Sequence, residues 1–278
     1  MREQAFRFGR ARHLVGIAGL PPTAPGAVGV IVLNAGLVHR IGPFRLHVDM
    51  TRRLNELGYP TLRFDQSTIG DSGASGESQT RVQQVCADVD DAMALLHQHA
   101  ACSRFVLVGL CSGAQNAHTV ACGEHSHEKL DGVVFLDGYA YRTFGFRLRH
   151  YLPRLFNAKR WWRWLVRKSR EVGGGGNEPV FGVAPLPQDV VRVDLKGMLD
   201  RGLKLCLVYS GGINMDFNHA RQFRECFGSL MNRPAVSTRY IEETDHTYVL
   251  VDDRRHLIEH IEAWLQRNFP IAHAGASS

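Results

Sequence analysis

Phe105-Val106-Leu107-Val108-Gly109-Leu110-Cys111-Ser112-Gly113-Ala114 is the stretch that decides the reading of this chain. Phe105 to Val108 is a short, partly β-branched apolar run, the composition of a buried strand. A glycine-bounded turn follows, and the residues to Ala121 read as a helix. Such a strand–turn–helix can lift one side chain above the end of a sheet. The turn is sharp, so the residues two before and two after the raised side chain must be small. Centred on Cys111, those positions are Gly109 and Gly113; centred on Ser112, they are Leu110 and Ala114, and the leucine does not fit. The spacing therefore predicts that Cys111 is the raised residue and a nucleophile. The plainer alternative is a strand–helix turn that buries a cysteine as a small hydrophobe.

Working outward, strands and helices alternate. Upstream, Phe6 to Phe8 and His13 to Ala18 read as short strands, and Val28 to Leu33 as a buried strand running into Asn34-Ala35-Gly36. A helix is expected over Phe44 to Leu57, a strand over Thr61 to Phe64, and a helix over Thr80 to His99. Downstream, strands are expected at Gly132 to Leu136, Leu203 to Tyr209 and Val236 to Ile241, with a last amphipathic helix over Asp253 to Asn268. Strand–helix alternation implies right-handed crossovers and a mostly parallel sheet with helices on both faces, an α/β architecture. The alternation fails once, between Asp137 and Leu203. The expected organisation is a core of residues 1–138 and 201–270, a lid or cap at 139–200, and a frayed tail at 271–278.

Composition narrows the function classes. The 278 residues are 44% hydrophobic and 22% charged, ordinary globular usage, so disordered and fibrous classes are excluded. Mean hydropathy is −0.18, and no apolar run approaches the length of a bilayer span. The first twenty residues lack a continuous apolar core, so no secretory leader is expected. The six cysteines form no C-x-x-C pair and read as reduced, cytosolic thiols. Net charge is +6, yet ten Lys and Arg with no acid lie between Arg142 and Arg170; without them the remaining bases are fewer than the 27 acids. The basic character thus belongs to one segment and its neighbours.

An activated thiol needs a base, and the base an orienting group. His246 lies between the last strand and the last helix, the place of the base in the chain order nucleophile, acid, histidine. Asp216 follows the penultimate strand and is the favoured acid, although helix capping would also explain it. Asp137, at the end of an earlier strand, and Asn214 are the other candidates. The oxyanion hole should use the backbone N–H of Ser112 and a second N–H from the turn after Leu33: Leu37, with Gly36 next. No cofactor and no metal are expected: His125-x-His127 lacks a third ligand nearby.

These residues carry a resemblance. Arg40-Ile41-Gly42, Arg63-Phe64-Asp65 with Gly70-Asp71-Ser72, the Gly109 to Ala114 turn, His150-Tyr151-Leu152 with Trp161 and Trp162, and Asp245-His246-Thr247 resemble α/β-hydrolases of the serine-aminopeptidase-like group. They are most similar to the hydrolases associated with exosortase A gene clusters, over about residues 30–250. The resemblance implies the α/β-hydrolase fold and an acyl hydrolase working through a Cys–His–Asp triad, with Cys111 and His246 carried over directly. The chain departs from the pattern at Gly212 to Asp216, where the family's acid follows the glycine more closely.

The expected function is therefore an esterase or thioesterase with an acyl-cysteine intermediate. Acyl transfer to a non-water acceptor is a variant, and a non-catalytic binding protein of the same fold is the rival class. The basic, Trp-rich stretch reads as a lid helix with an apolar face over the acyl pocket. Its sharper reading is a docking face for an anionic partner: a coenzyme A thioester, an acyl carrier protein or an anionic membrane surface. Nucleic acid is not expected, because no binding motif accompanies the charges.

Overall fold

The computed structural model describes residues 2–22, 28–122, 128–155 and 186–271. Eight strands form one sheet: β1 (Arg2–Phe8), β2 (Leu14–Leu20), β3 (Gly29–Val32), β4 (Thr61–Asp65), β5 (Phe105–Leu110), β6 (Leu130–Leu136), β7 (Lys204–Ser210) and β8 (Val236–Ile241). Their spatial order is β1-β2-β4-β3-β5-β6-β7-β8. β2 is antiparallel to both β1 and β4, and every pair from β4 across to β8 is parallel.

The central strands are apolar throughout because both faces are covered. Along β5, Phe105 and Leu107 enter one hydrophobic cluster, while Val106, Val108 and Leu110 enter the other. Val133 and Phe135 alternate in the same way with Val134 and Leu136 on β6. The first cluster is closed by α2 (Arg81–Ala100), α3 (Ser112–Ala121), α5 (Gln188–Asp200) and α6 (Gln222–Phe227). The second is closed by α1 (Leu46–Glu56) and α7 (Val251–Asn268), through Leu46, Met50 and Leu54 on one helix and Leu257, Ile261, Trp264 and Leu265 on the other. The predicted strands all occur. α2 starts at a capping box, in which the Thr80 hydroxyl accepts from the Gln83 N–H and the Gln83 side chain accepts from the Thr80 N–H.

Within the segment expected as a lid, α4 (Phe144–Leu155) lies beside α6, and residues 156–185 lie outside the described residues. The Trp-rich part of the basic stretch and the His125-x-His127 pair therefore fall outside them too. α5 differs from the expectation: Val191, Leu195, Met198 and Leu199 are buried against the sheet, so these residues pack as a core layer. Their apolar side chains recur at helical spacing, and burying each contributes roughly 1.5–3 kcal/mol. The basic face is also not wholly solvated. Arg149 makes two hydrogen bonds to the Glu225 carboxylate, at 2.8 and 3.0 Å, and Arg142 donates to Asp216 at 2.8 Å. No helix among the described residues is long and apolar enough to cross a membrane.

Candidate active site

The site lies at the carboxyl ends of β5, β6 and β7. β5 ends at Leu110, and Cys111 follows with φ 56° and ψ −117°, a strained conformation for a residue with a Cβ. Such strain costs of order 1–3 kcal/mol and persists only where the surroundings impose it. Here a Cβ on Gly109 would lie 2.1 Å from the Gly113 carbonyl oxygen, and one on Gly113 would lie 2.4 Å from that of Asn34. Only glycine fits either place, which is the steric requirement that located Cys111 in the sequence. The Cys111 N–H donates to the Leu136 carbonyl at 2.9 Å, tying the turn to the end of β6.

One strand further on, the same construction recurs. Asp137 follows β6 with φ 46°, and its N–H donates to the Val208 carbonyl on β7 at 3.0 Å. Its carboxylate is fully buried and receives three hydrogen bonds. Oδ1 accepts from the Ser210 N–H at 2.6 Å; Oδ2 accepts from the Ser210 hydroxyl at 2.6 Å and from His246 Nδ1 at 2.8 Å. With Nδ1 committed to Asp137, Nε2 remains for the Cys111 thiol, to which the imidazole is hydrogen-bonded. Cys111, His246 and Asp137 thus form one connected chain.

The charges follow from these contacts. The hydrogen bond to Asp137, then that to Cys111, pushes His246 up to about 10 against the opposing effect of burial. The hydrogen bond from His246 holds Cys111 below the ordinary thiol range, helped by the Ser112 N–H. The other five cysteines move the opposite way: burial pushes Cys86 and Cys122 up to about 11, and Cys102, Cys206 and Cys226 up to about 12. The arrangement sets a more basic imidazole beside a more acidic thiol, braced by a buried carboxylate.

The structure does not bring Asp216 to this chain. Its side chain is 52% exposed and bonds to Arg142; it caps no helix, and α6 begins only at Gln222. The glycines that pointed to it serve another purpose. A Cβ on Gly212 would lie 2.0 Å from the His246 backbone nitrogen, so these glycines let the histidine loop cross the end of β7. Asn214 is exposed at the surface, and Asp245 is occupied by Thr247 and the Val249 N–H. Asp137, a charged residue directly after a buried strand, is the candidate in contact with the imidazole. Ser210, which supplies two of the three donors to its carboxylate, carried no signal in the sequence.

The loop after β3 faces the turn from the other side. The Gly36 N–H donates to the Ser112 hydroxyl at 2.7 Å, so Ser112 contributes its side chain as well as its backbone. That bond occupies Gly36 and leaves the next N–H, of Leu37, without an acceptor among the described residues. The loop is anchored by buried groups: the Asn34 amide donates to Asp65 Oδ1 and to the Val38 carbonyl, and Arg40 binds Asp65 through its backbone and its guanidinium, both at 2.5 Å. Asp65 and the Gly70-Asp71-Ser72 turn are thus structural supports beneath the rim.

No protein-family profile matches the chain, and no curated protein matches it. Solved structures do. An esterase from Pyrococcus furiosus is 14% identical, with a TM-score of 0.61, over 96% of this chain and 91% of that one. An α/β serine hydrolase without a lid from Xanthomonas campestris is 13% identical, with a TM-score of 0.54, over 98% and 96%. The α/β-hydrolase GrgF from Penicillium is 12% identical, with a TM-score of 0.55, over 97% and 99%. At this identity the likeness concerns the path of the chain alone: the protein has the α/β-hydrolase fold.

Proposed function

We propose that the protein is an acyl hydrolase acting on esters or thioesters through Cys111, His246 and Asp137. The observation that carries this reading is the strained Cys111 turn in hydrogen-bond contact with an imidazole whose other nitrogen is held by a buried carboxylate. The Cys111 thiolate adds to the acyl carbonyl, and the Ser112 and Leu37 N–H groups receive the oxyanion. Collapse breaks the bond to the leaving alkoxide or thiolate, which takes the Nε2 proton of His246. The product is an acyl-cysteine thioester and a neutral imidazole. Water then attacks the thioester, giving its proton to Nε2, and the thiolate departs with the ion pair restored. Apolar side chains are exposed on the segments that follow β3 and His246: Leu37, Val38, Ile41 and Phe44, and Val249, Leu250 and Val251. Such segments suit an apolar acyl group.

The test is intact-protein mass after rapid mixing with a panel of acyl esters and thioesters. The expected result is a transient adduct in which one acyl group replaces the thiol proton. It maps to Cys111 and is absent in Cys111→Ala. No adduct and no turnover across the panel would leave the fold without this activity. Discharge faster with added amine or thiol than in water identifies an acyltransferase instead.

A further inference from the structure

Away from the acyl site, three side chains that bind metals converge between α3 and α5. His118 lies in the last turn of α3, Cys122 follows the end of that helix, and Asp194 faces them from α5. One donor atom from each lies within 4.8 Å of the other two. His118 is 1% exposed, yet neither of its ring nitrogens has a hydrogen-bond partner among the described residues. Its Nε2 faces Asp194 Oδ2 at 3.3 Å without forming a hydrogen bond. A buried imidazole with both nitrogens idle leaves polar capacity unsatisfied, which native interiors rarely do.

We propose that His118, Cys122 and Asp194 form a zinc-binding site that clamps α3 to α5. Nitrogen, thiolate sulfur and carboxylate oxygen are a borderline donor set that suits Zn²⁺, whereas Mg²⁺ and Ca²⁺ take oxygen ligands. Zinc bonds of about 2.0–2.3 Å place tetrahedral ligand atoms roughly 3.3–3.6 Å apart, so the cluster needs only a small inward movement. Three protein ligands leave a fourth position for water. His118 lies seven residues along α3 from Cys111, about 10 Å along the helix axis. The metal is thus too far away to take part in the acyl chemistry. It joins α3, which begins directly after Cys111, to α5. The proposal does not depend on the acyl-hydrolase reading.

The experiment uses full-length Cys111→Ala protein, so that the catalytic thiolate–imidazole pair cannot bind metal itself. Zn²⁺ is titrated in competition with a chromophoric chelator, and Co²⁺ serves as the spectroscopic probe. The expected result is one equivalent of tightly held metal and a thiolate-to-cobalt charge-transfer band. Cys122→Ser should remove that band. Asp194→Asn, at a half-buried position where folding is not at risk, should weaken zinc by at least about tenfold, the loss typical of even an outer-shell partner. Stoichiometric binding that survives both substitutions places the metal on other histidines and overturns the proposal. So does the absence of a thiolate band, or of binding altogether.

Discussion

Asp137→Asn is the most discriminating single change. Asparagine keeps the volume, but it exchanges one carboxylate oxygen for an NH₂ group. Three donors converge on the native carboxylate, at 2.6, 2.6 and 2.8 Å. If the amide oxygen keeps the Ser210 N–H, the amide nitrogen takes the place of Oδ2 and meets two groups that also donate. His246 can then satisfy its Nδ1 only by accepting, which moves its proton to Nε2 and points that proton at Cys111. In that tautomer it can neither take the thiol proton nor hold the thiolate. An Asp-to-Asn change of this kind in a comparable triad costs about 10⁴ in kcat, or about 5.4 kcal/mol at 1.36 kcal/mol per tenfold. Because a thiol is a better nucleophile than a hydroxyl before activation, about 10³ is the lower expectation here. Stability should fall by about 1–3 kcal/mol from the mismatched buried donors, so circular dichroism and a thermal melt accompany the assay. Asp216→Asn is the matched control. Its exposed pair with Arg142 is of the surface class that contributes about 0–1 kcal/mol, and turnover of a small chromogenic ester should be close to wild type. Full activity in folded Asp137→Asn, with loss in Asp216→Asn, would refute the assignment.

The ion pair sets a pH dependence. The lowered Cys111 thiol stays ionised as pH falls below the ordinary value of about 8.5, so iodoacetamide should label Cys111 selectively at mildly acidic pH, while the five raised thiols stay unreactive. Labelling of several cysteines together, with an ordinary thiol profile, would contradict this, and Asp137→Asn should move the Cys111 profile to higher pH. Ser112→Ala removes the acceptor of the Gly36 N–H but leaves the thiolate pair intact. Losing one such bond, about 0.5–1.5 kcal/mol, should slow turnover roughly two- to tenfold without changing the alkylation profile; a shifted profile would mean that Ser112 acts on the thiol itself. Gly113→Ala forces a methyl group against the Asn34 carbonyl. The expected loss is about 2 kcal/mol or more, on the order of 5 °C in Tm. An unchanged melt would show that the turn is not as tight as its geometry requires.

The sequence by itself determined what depends on local sterics and period. Glycines two residues either side of Cys111 set the frame of the turn, because a Cβ at either place collides with backbone wherever the rest of the chain goes. Alternating strands and helices determined a covered, mostly parallel sheet, and the place of His246 after β8 marked it as the base. The identity of the carboxylate was a tertiary decision. Asp137 and Asp216 both follow strands, and nothing within either segment ranks them. What ranks them is that β6 and β7 lie side by side, so that Ser210 meets Asp137, and that Gly212 lets the His246 loop cross that strand end. Chain separation hides both facts: His246 and Asp137 are 109 residues apart, and a 2.8 Å hydrogen bond exists only once the sheet has formed. The packing of α5, the Ser112–Gly36 bond and the meeting of His118, Cys122 and Asp194 are of the same kind. Each joins residues whose types were plain in the sequence and whose neighbours were decided by the fold.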